Sequence, residues 1–143
     1  MRWVIASDHA GYALKERVKE WLKARGAEVE DFGVYSPERA DYPDYGHRVG
    51  EAISSGQFER GVLVCGSGIG ISIAANRHAG VRAALCNDVY SARMARAHND
   101  ANVLALGARV VGDGVVEAVL DAFIGTEFEG GRHADRVRKL DSR

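Results

Sequence analysis

Segments with the pattern of a strand and segments with the pattern of a helix alternate along this 143-residue chain. The strand segments are short, apolar and rich in β-branched residues, which is typical of strands buried on both faces of a sheet. The helical segments are about 10 to 15 residues long, as in the crossovers that join parallel strands. Such crossovers are right-handed, and in this class of fold helices cover both faces of the parallel sheet. The sequence therefore predicts an α/β protein with a parallel sheet.

Five strands are predicted, at residues 3–6, 28–32, 61–64, 81–86 and 103–106. The second alternates weakly between polar and apolar residues, which indicates a position near the sheet edge. The predicted helices cover residues 12–25, 45–55, an Ala/Ile-rich segment after the third strand, about ten residues ending near 98–100, and residues 115–124 and 134–140. Gly26 is expected to end the first helix, and Asp44 and Asp88 are the expected N-caps of the second and fourth.

Composition and charge exclude several functions. A formal net charge of −1 argues against a nucleic-acid binder with a broad basic surface. No apolar run is long enough to span a membrane, and we expect neither a membrane partner nor a signal peptide. The two cysteines suggest no disulfide framework, so we expect a reducing cytoplasm. The five histidines form no evident cluster in the sequence, and we expect no metal site and no cofactor.

A glycine-rich loop after the third strand is the most informative segment for function. Gly66, Gly68 and Gly70 follow Cys65, which ends the apolar run, and a helical segment begins beyond them. Such a unit directs backbone N–H groups at a helix N-terminus toward an anion or oxyanion. A thiol beside them can act as a base or nucleophile. The alternative is that Cys65 is a core residue and the glycines only form a tight turn.

Polar residues collect where the predicted elements end. Asp8 and His9 follow the first strand, Arg109 follows the fifth, and His98 lies at the end of the fourth helix. Ligands of such folds bind beyond the carboxyl ends of the strands, where the strand order switches. If the first and third strands are neighbours, Asp8, His9 and Cys65 converge on one crevice. This favours an enzyme over a passive binding module.

The glycine loop departs from three better-known signatures. A phosphate-binding P-loop needs a Lys, and no Lys follows Gly70. The dinucleotide fingerprint needs a third glycine where this chain has Ile71, and it usually follows the first strand, so NAD binding is disfavoured. Ser67 has glycines directly beside it, unlike the Gly-x-Ser-x-Gly nucleophile elbow.

Five motifs carry a resemblance to a known family, and they are SDHAGY, DYPDYG, VCGSGIGISIAANR, HNDANVLALGARVVG and EGGRH. The chain resembles the ribose-5-phosphate isomerase type B family, which includes the galactose-6-phosphate isomerase subunits, over nearly its whole length. The resemblance implies a single Rossmann-like three-layer domain over residues 1–143 with a five-stranded parallel sheet. It implies metal-independent aldose–ketose isomerisation, with ribose 5-phosphate and ribulose 5-phosphate of the pentose phosphate pathway as the type-defining pair. It also implies a homodimer or a dimer of dimers with shared active sites.

The resemblance also implies a role for individual residues. Cys65 resembles the base that moves a proton between C2 and C1. Ser67, where many members have threonine, would assist proton movement at the substrate hydroxyls, and the three loop glycines correspond to the part that binds the enediolate oxygen. One subgroup instead uses a glutamate at the position of Ile71, so this chain belongs with the cysteine type.

Outside the loop, His98 resembles the residue that opens the sugar ring, and Asp8 and Asn99 resemble those that hold sugar hydroxyls. The residues that resemble a phosphate clamp are His9, Arg109, Arg132 and Arg136. Tyr42 lies in a loop that can cover the site, and a packing role is an equal alternative. Without the resemblance, His98 is explained as a helix-end histidine, and Arg132 and Arg136 as a solvated basic tail.

The proposed ligands are spread over several strand ends and the C-terminus, which is wide for one crevice. We therefore expect His98, Asn99 and Arg109 to reach a pocket built around Cys65 of a second subunit. Three functions stay open: the pentose-phosphate isomerase, an isomerase of a six-carbon aldose phosphate or a free aldose such as allose, and a non-catalytic sugar-phosphate sensor. The retained thiol, histidine and arginines argue against the sensor.

Overall fold

The computed structural model describes residues 1–143 and contains one five-stranded sheet. The strands are β1 (Arg2–Ser7), β2 (Glu28–Asp31), β3 (Arg60–Cys65), β4 (Ala83–Leu85) and β5 (Val103–Gly107). The helices are α1 (Tyr12–Ala24), α2 (Tyr42–Ser54), α3 (Ile69–Asn76), α4 (Val89–Asn99), α5 (Asp113–Gly125) and α6 (Arg132–Asp141). None of these helices is long and apolar enough to cross a membrane.

All strand pairs are parallel, and the strand order is β2-β1-β3-β5-β4. The predicted parallel α/β class is confirmed, β2 lies at an edge as predicted, and β1 and β3 are neighbours. In register, Ser7 lies opposite Val64, and Cys65 lies opposite Gly107. The carboxyl ends of the three central strands therefore meet at one edge of the sheet.

Two apolar clusters lie on the two faces of the sheet, because successive side chains of a strand point to opposite faces. One cluster joins Ile5, Val62 and Leu104 to α1, α4 and α5. The other joins Leu63 and Cys65 to α2 and α3. Cys65 therefore faces the layer formed by α2 and α3.

The start of α2 differs from the prediction. The helix begins at Tyr42, with Asp41 as its N-cap residue, so the expected cap Asp44 lies within the first turn. Pro43 is compatible with this start because the first N–H groups of a helix have no intrahelical partner. The loop before α2 is correspondingly shorter than predicted, and this places Tyr42 on the helix.

A buried ion pair connects α1 to the end of β2. Nζ of Lys15, which is 0 % exposed, lies 2.5 Å from Oδ2 of Asp31, and Nζ of Lys19 lies 2.9 Å from the same atom. The other carboxylate oxygen of Asp31 accepts the N–H of Gly33 at 2.8 Å. Burial alone would raise the pKa of Asp31, but the hydrogen bonds from Lys15, Gly33 and Lys19 outweigh it, so the pKa is lowered.

Asp31→Asn should destabilise the protein by at most about 3–5 kcal/mol at pH 7, because it removes the less exposed of the two carboxylates that pair with the buried ammonium of Lys15 and leaves only Glu16, at 3.1 Å. A carboxylate with a lowered folded-state pKa contributes stability above its unfolded pKa of about 4, and this contribution is lost as the pH falls through the folded value. Urea unfolding of wild type and variant should therefore show a large difference at pH 7 and a smaller one near pH 3.

The matched control is Glu20→Gln, since Glu20 pairs with Lys23 at 3.6 Å on an exposed surface. It should change the free energy of unfolding by no more than about 0.5 kcal/mol at either pH. An Asp31→Asn deficit of equal size at both pH values would show that the charge of this carboxylate is not what stabilises the fold.

Candidate active site

The thiol of Cys65 lies where β3 passes through the glycine loop into α3. Its Sγ accepts the N–H of Gly68 at 3.2 Å. Gly68 has a φ of 79°, and a Cβ there would lie 2.8 Å from the carbonyl carbon of Leu106. A left-handed backbone and this close approach both require glycine. The loop can therefore turn tightly around the thiol and direct an N–H group at it.

The Cys65 pocket is an open cavity of about 640 Å³ beyond the carboxyl ends of the central strands. Its lining residues are Asp8, Tyr42, Cys65, Gly66, Ser67, Ile69, Gly70, Ile73, Arg109 and Val110. Asp8 and Cys65 meet in this pocket, as the neighbouring positions of β1 and β3 lead us to expect. The sequence analysis did not predict the apolar lining residues Ile69, Ile73 and Val110. Ile69 and Ile73 are four residues apart on α3, and this spacing indicates that they share one face of the helix.

Asp8 and His9 are both held by backbone contacts. Oδ1 of Asp8, which is buried, accepts the N–H of Gly11 at 3.0 Å. Nδ1 of His9 lies 3.1 Å from both the backbone N and the backbone O of Ala40. The imidazole is thus tied to the loop before α2 and does not line the Cys65 pocket.

Ser67 and Tyr42 both line the Cys65 pocket. Oγ of the exposed Ser67 accepts the N–H of Ile69 at 3.2 Å, which orients this hydroxyl at the start of α3. The ring of Tyr42 packs directly against Gly70, so Tyr42 both packs and lines the pocket. Gly68 is buried beneath the loop and does not line the pocket, whereas Gly66 and Gly70 do.

Arg109 belongs to the pocket of its own chain. Its N–H donates to the carbonyl of Gly66 at 3.0 Å. Its guanidinium lies over the same residue, with Nη1 3.2 Å from the position that a Cβ on Gly66 would take. The structure places Arg109 in the Cys65 pocket of its own chain, whereas the expectation placed it in the pocket of a second subunit. The N–H of Ala108 also donates to the carbonyl of Cys65 at 2.9 Å, so the chain just after β5 is held against the glycine loop.

A second group of polar residues lies where α4 ends and α6 begins. The imidazoles of His98 and His133 stack with ring centroids 4.2 Å apart and planes 8° apart. Oε1 of Glu129 lies 3.8 Å from Nε2 of His98 and 3.6 Å from Nε2 of His133. Arg132 and Arg136 are exposed one turn apart on α6. The expectation that the histidines form no cluster is wrong, since residues far apart in the chain meet here.

His133 is the buried member of this group. Desolvation by burial, and then the nearby positive charges of His98 and Arg132, lower the pKa of His133. Neutral imidazole is consequently the favoured form at this position near neutral pH. A neutral ring can donate, accept or coordinate through its free nitrogen.

The Cys65 pocket and the second group of polar residues lie at opposite ends of the strands within one chain. We call this second group (His98, Glu129, Arg132, His133 and Arg136) the α4–α6 group. Asn99, next to His98, lines a separate pocket with Arg82 and Asp141. Just beyond α4, the carbonyl of Asn102 accepts the N–H of Gly61 at 2.9 Å. Gly61 and Cys65 are four residues apart on β3, which is about 13 Å in a strand. The Cys65 pocket and the α4–α6 group therefore do not form one site within a single chain.

The second thiol differs from the first. Cys86 is free and buried, and burial, together with the nearby charge of Asp88, raises its pKa to about 12. A thiol that stays protonated at neutral pH is a poor base and a poor nucleophile. The structure thus offers one cysteine beside N–H donors and an open cavity, which is an arrangement suited to proton transfer with stabilisation of an oxyanion.

Comparisons with known proteins show which family this chain belongs to. The family model described as Ribose/Galactose Isomerase matches residues 3–140. Ribose-5-phosphate isomerase B of Escherichia coli is 49% identical over 93% of this chain and 89% of its own length. D-erythrulose-4-phosphate isomerase of Pectobacterium atrosepticum is 43% identical over 95% of this chain and 90% of its own. The solved structure of ribose-5-phosphate isomerase B from Clostridium thermocellum superposes with a TM-score of 0.97 at 53% identity, covering 99% of this chain and 95% of the other.

The fold is that of an α/β enzyme class, and the Cys65 pocket opens beside the switch point between β1 and β3. With a family model spanning nearly the whole chain, and relatives near half identity over nearly their full length, the protein belongs to the ribose/galactose isomerase family.

Gly68→Ala should cost more stability than Gly80→Ala. Both glycines have a positive φ, 79° and 75°, but a Cβ at Gly80 meets nothing within 4 Å. The left-handed conformation should cost about 1–2 kcal/mol in each variant, and the contact with Leu106 should add about 1–3 kcal/mol at Gly68 alone. Chemical denaturation measures both. Equal losses would mean that the glycine loop accommodates a side chain and is not fixed by close packing.

Proposed function

We propose that this protein interconverts ribose 5-phosphate and ribulose 5-phosphate as an aldose–ketose isomerase. The observation that carries the proposal is the thiol of Cys65, held 3.2 Å from the N–H of Gly68 inside an open pocket. The relatives named for the same reaction support the choice of substrate. The assignment to the cysteine type is supported by Ile71 of this chain, which gives the alternative subgroup no carboxylate.

The reaction moves one proton from C2 to C1 and a second from the C2 oxygen to the C1 oxygen, and the carbonyl double bond shifts from C1 to C2. In the open-chain aldose, a base removes the proton from C2 and negative charge builds on the carbonyl oxygen at C1. Fixed N–H donors aimed at that oxygen contribute about 3–4 kcal/mol each. Transfer of the C2 hydroxyl proton to the oxygen at C1 and return of the carbon-bound proton to C1 give the ketose. We assign Cys65 as the base, Ser67 to the hydroxyl protons, and the N-terminus of α3 with Gly66 and Gly70 to the oxyanion.

The remaining steps need groups that lie outside the Cys65 pocket of the same chain. Ribose 5-phosphate is mostly a closed ring, so an acid/base group must open it, and we assign this to His98. A phosphate dianion is best held by arginines, whose planar guanidinium donates two parallel hydrogen bonds. Arg109 contributes from the Cys65 pocket, while Arg132 and Arg136 contribute from α6. We assign His9 to the phosphate, and Asp8 and Asn99 to the sugar hydroxyls.

A homodimer with shared sites satisfies this division. Each Cys65 pocket would receive the α4–α6 group of the other subunit, and two-fold symmetry would give two equivalent composite sites. The rim of the Cys65 pocket supports docking of a second copy, because Ile69, Ile73 and Val110 are 52%, 58% and 59% exposed. Exposed apolar side chains grouped around a cleft are typical of an interaction surface. Pairing of dimers into tetramers stays open.

Two further expectations stay predictions. We infer that residues 1–143 act as one isomerase domain, which the single sheet supports. We also infer a cytoplasmic location, which suits two free cysteines.

A second substrate class is favoured by one observation, the relative named D-erythrulose-4-phosphate isomerase. A shorter or longer sugar phosphate keeps the same phosphate and the same carbons at the reacting end. Comparing kcat/KM for four-, five- and six-carbon aldose phosphates and for free allose decides between them, and a preference for any sugar other than ribose 5-phosphate contradicts the first proposal.

Cys65→Ala should leave ribose 5-phosphate binding largely intact and lower kcat by about 10²-fold or more, as expected for loss of a general base. Deuterium incorporation at C2 in deuterated water should fall with it. The matched control is Cys86→Ala, which removes the buried thiol on the other face of the sheet and should retain turnover. A Cys65→Ala variant that keeps more than about a tenth of wild-type turnover would exclude this thiol as the base.

Mixed dimers test the shared site. Cys65→Ala and His98→Asn, each inactive alone, are unfolded and refolded together. With random pairing, half of the dimers are mixed and one of their two sites carries neither lesion, so about a quarter of wild-type activity should return.

The control uses two lesions in the same half-site, Cys65→Ala with Arg109→Ala, assayed below the KM. Every site of these mixed dimers keeps a lesion, so no activity should return. If the first pair stays inactive although mixed dimers have formed, each site lies within one chain and the composite arrangement is wrong.

A further inference from the structure

His98, Glu129 and His133 have the donor set of a zinc site. One ligand atom from each residue lies within 4.8 Å of the other two. Two imidazole nitrogens and a carboxylate oxygen are a familiar set for Zn²⁺, and they leave a fourth tetrahedral position open for water or another ligand. This cluster is separate from the Cys65 pocket of the same chain.

The geometry brings the three donors to one point. Nε2 of each histidine faces the same oxygen of Glu129, at 3.8 Å and 3.6 Å. Tetrahedral zinc with Zn–N near 2.0–2.1 Å holds its ligand atoms about 3.3 Å apart. An imidazole nitrogen binds an ion in the plane of its own ring, so the rings must turn out of their parallel stack, and small movements of Glu129 then close the cluster around an ion. The exposed carboxylate of Glu129 is free to make them.

The backbone around the cluster is already in place. The N–H of Glu129 donates to the carbonyl of Ala97 at 3.0 Å, which ties the segment before α6 to the end of α4. The N–H of His133 donates to the carbonyl of Gly130 at 3.0 Å. These bonds fix the backbone positions of Glu129 and His133 beside the end of α4, so binding an ion requires rotation of the rings but no rearrangement of the backbone, which lowers the entropic cost.

We propose that His98, Glu129 and His133 bind one divalent transition-metal ion per chain, with Zn²⁺ favoured, and that the bound ion withholds His98 from the substrate. Zinc is then a reversible inhibitor. The first part concerns binding alone, and only the second rests on the proposed function, namely the role of His98 in ring opening. Arg132 and Arg136 add positive charge nearby and oppose the ion, so the metal exchanges freely and is not a structural component.

Direct binding is measured by competition between the metal-free protein and a zinc-binding dye. Wild type should bind one Zn²⁺ per chain, and Glu129→Gln and His133→Gln should each weaken binding by at least about tenfold. His78→Gln is the matched control, because His47 and His78 form the other close histidine pair, with Nδ1 and Nε2 2.8 Å apart. It should bind like wild type, and so should Cys65→Ala, which tests the thiol. Glu129 is exposed, so its variant is expected to fold even if the His133 variant does not.

Absence of stoichiometric binding in wild type overturns the proposal. So does an equal loss in His78→Gln or Cys65→Ala, which would move the ion to another site. Activity is then titrated with Zn²⁺. Wild-type turnover should fall over the concentration range in which zinc binds and return on adding a chelator, while Glu129→Gln should need at least about tenfold more zinc for the same fractional loss.

Zinc binding without inhibition overturns the second part of the proposal. Loss of activity on chelation alone also overturns it, because the metal would then be required by the reaction. Failure of the proposed function gives a different result, namely no isomerase activity in zinc-free buffer while the direct binding assay still reports zinc.

Discussion

Each helix between two strands of this parallel sheet must return the chain from the carboxyl ends of the strands to their amino ends. The placement of every candidate functional group follows from this constraint. The loop after β3 leaves the thiol of Cys65 at one edge. The helix after β4 carries His98 back to the other edge, where α6 adds its arginines. A helix of eleven residues is about 16 Å long. No change of side-chain conformation therefore brings the imidazole of His98 to the thiol of Cys65 in the same chain. Chain polarity alone therefore separates the base from the group assigned to open the ring.

Close backbone packing then fixes the thiol. Val64, the residue before Cys65, contacts the start of α1, where a Cβ on Gly11 would lie 2.7 Å from its carbonyl carbon. On the other side, Gly68 packs against the end of β5. Interiors packed at this density transmit small displacements, and misplacing a catalytic group by about 1 Å can cost roughly 10²-fold in rate. The glycines at these contacts thus set the position of the thiol, and in the proposed function they need not touch the substrate.

The fold was predictable because strand and helix patterns alternate along the chain and the strands are apolar. Few architectures other than a parallel α/β sheet are compatible with both features. The Cys65 pocket was also within reach, since β1 and β3 are neighbours in the common strand orders. The α4–α6 group was not, because His98 and His133 belong to helices whose docking depends on side-chain packing and not on a local pattern. Arg109 shows a second limit of prediction from the sequence. Its position after β5 was evident, but only the contact with Gly66 decides which site it serves.

The two edge strands also bear on how copies of this chain can meet. β2 presents Glu28 and Glu30 to solvent in alternation, and β4 is only three residues long. Acidic side chains and short strands both discourage the addition of another strand at an open sheet edge. A continuous sheet running from one molecule into the next is therefore disfavoured, and so is the cross-β aggregation that begins in that way. Contact between copies is left to helices and loops, which are the elements that carry the chemistry.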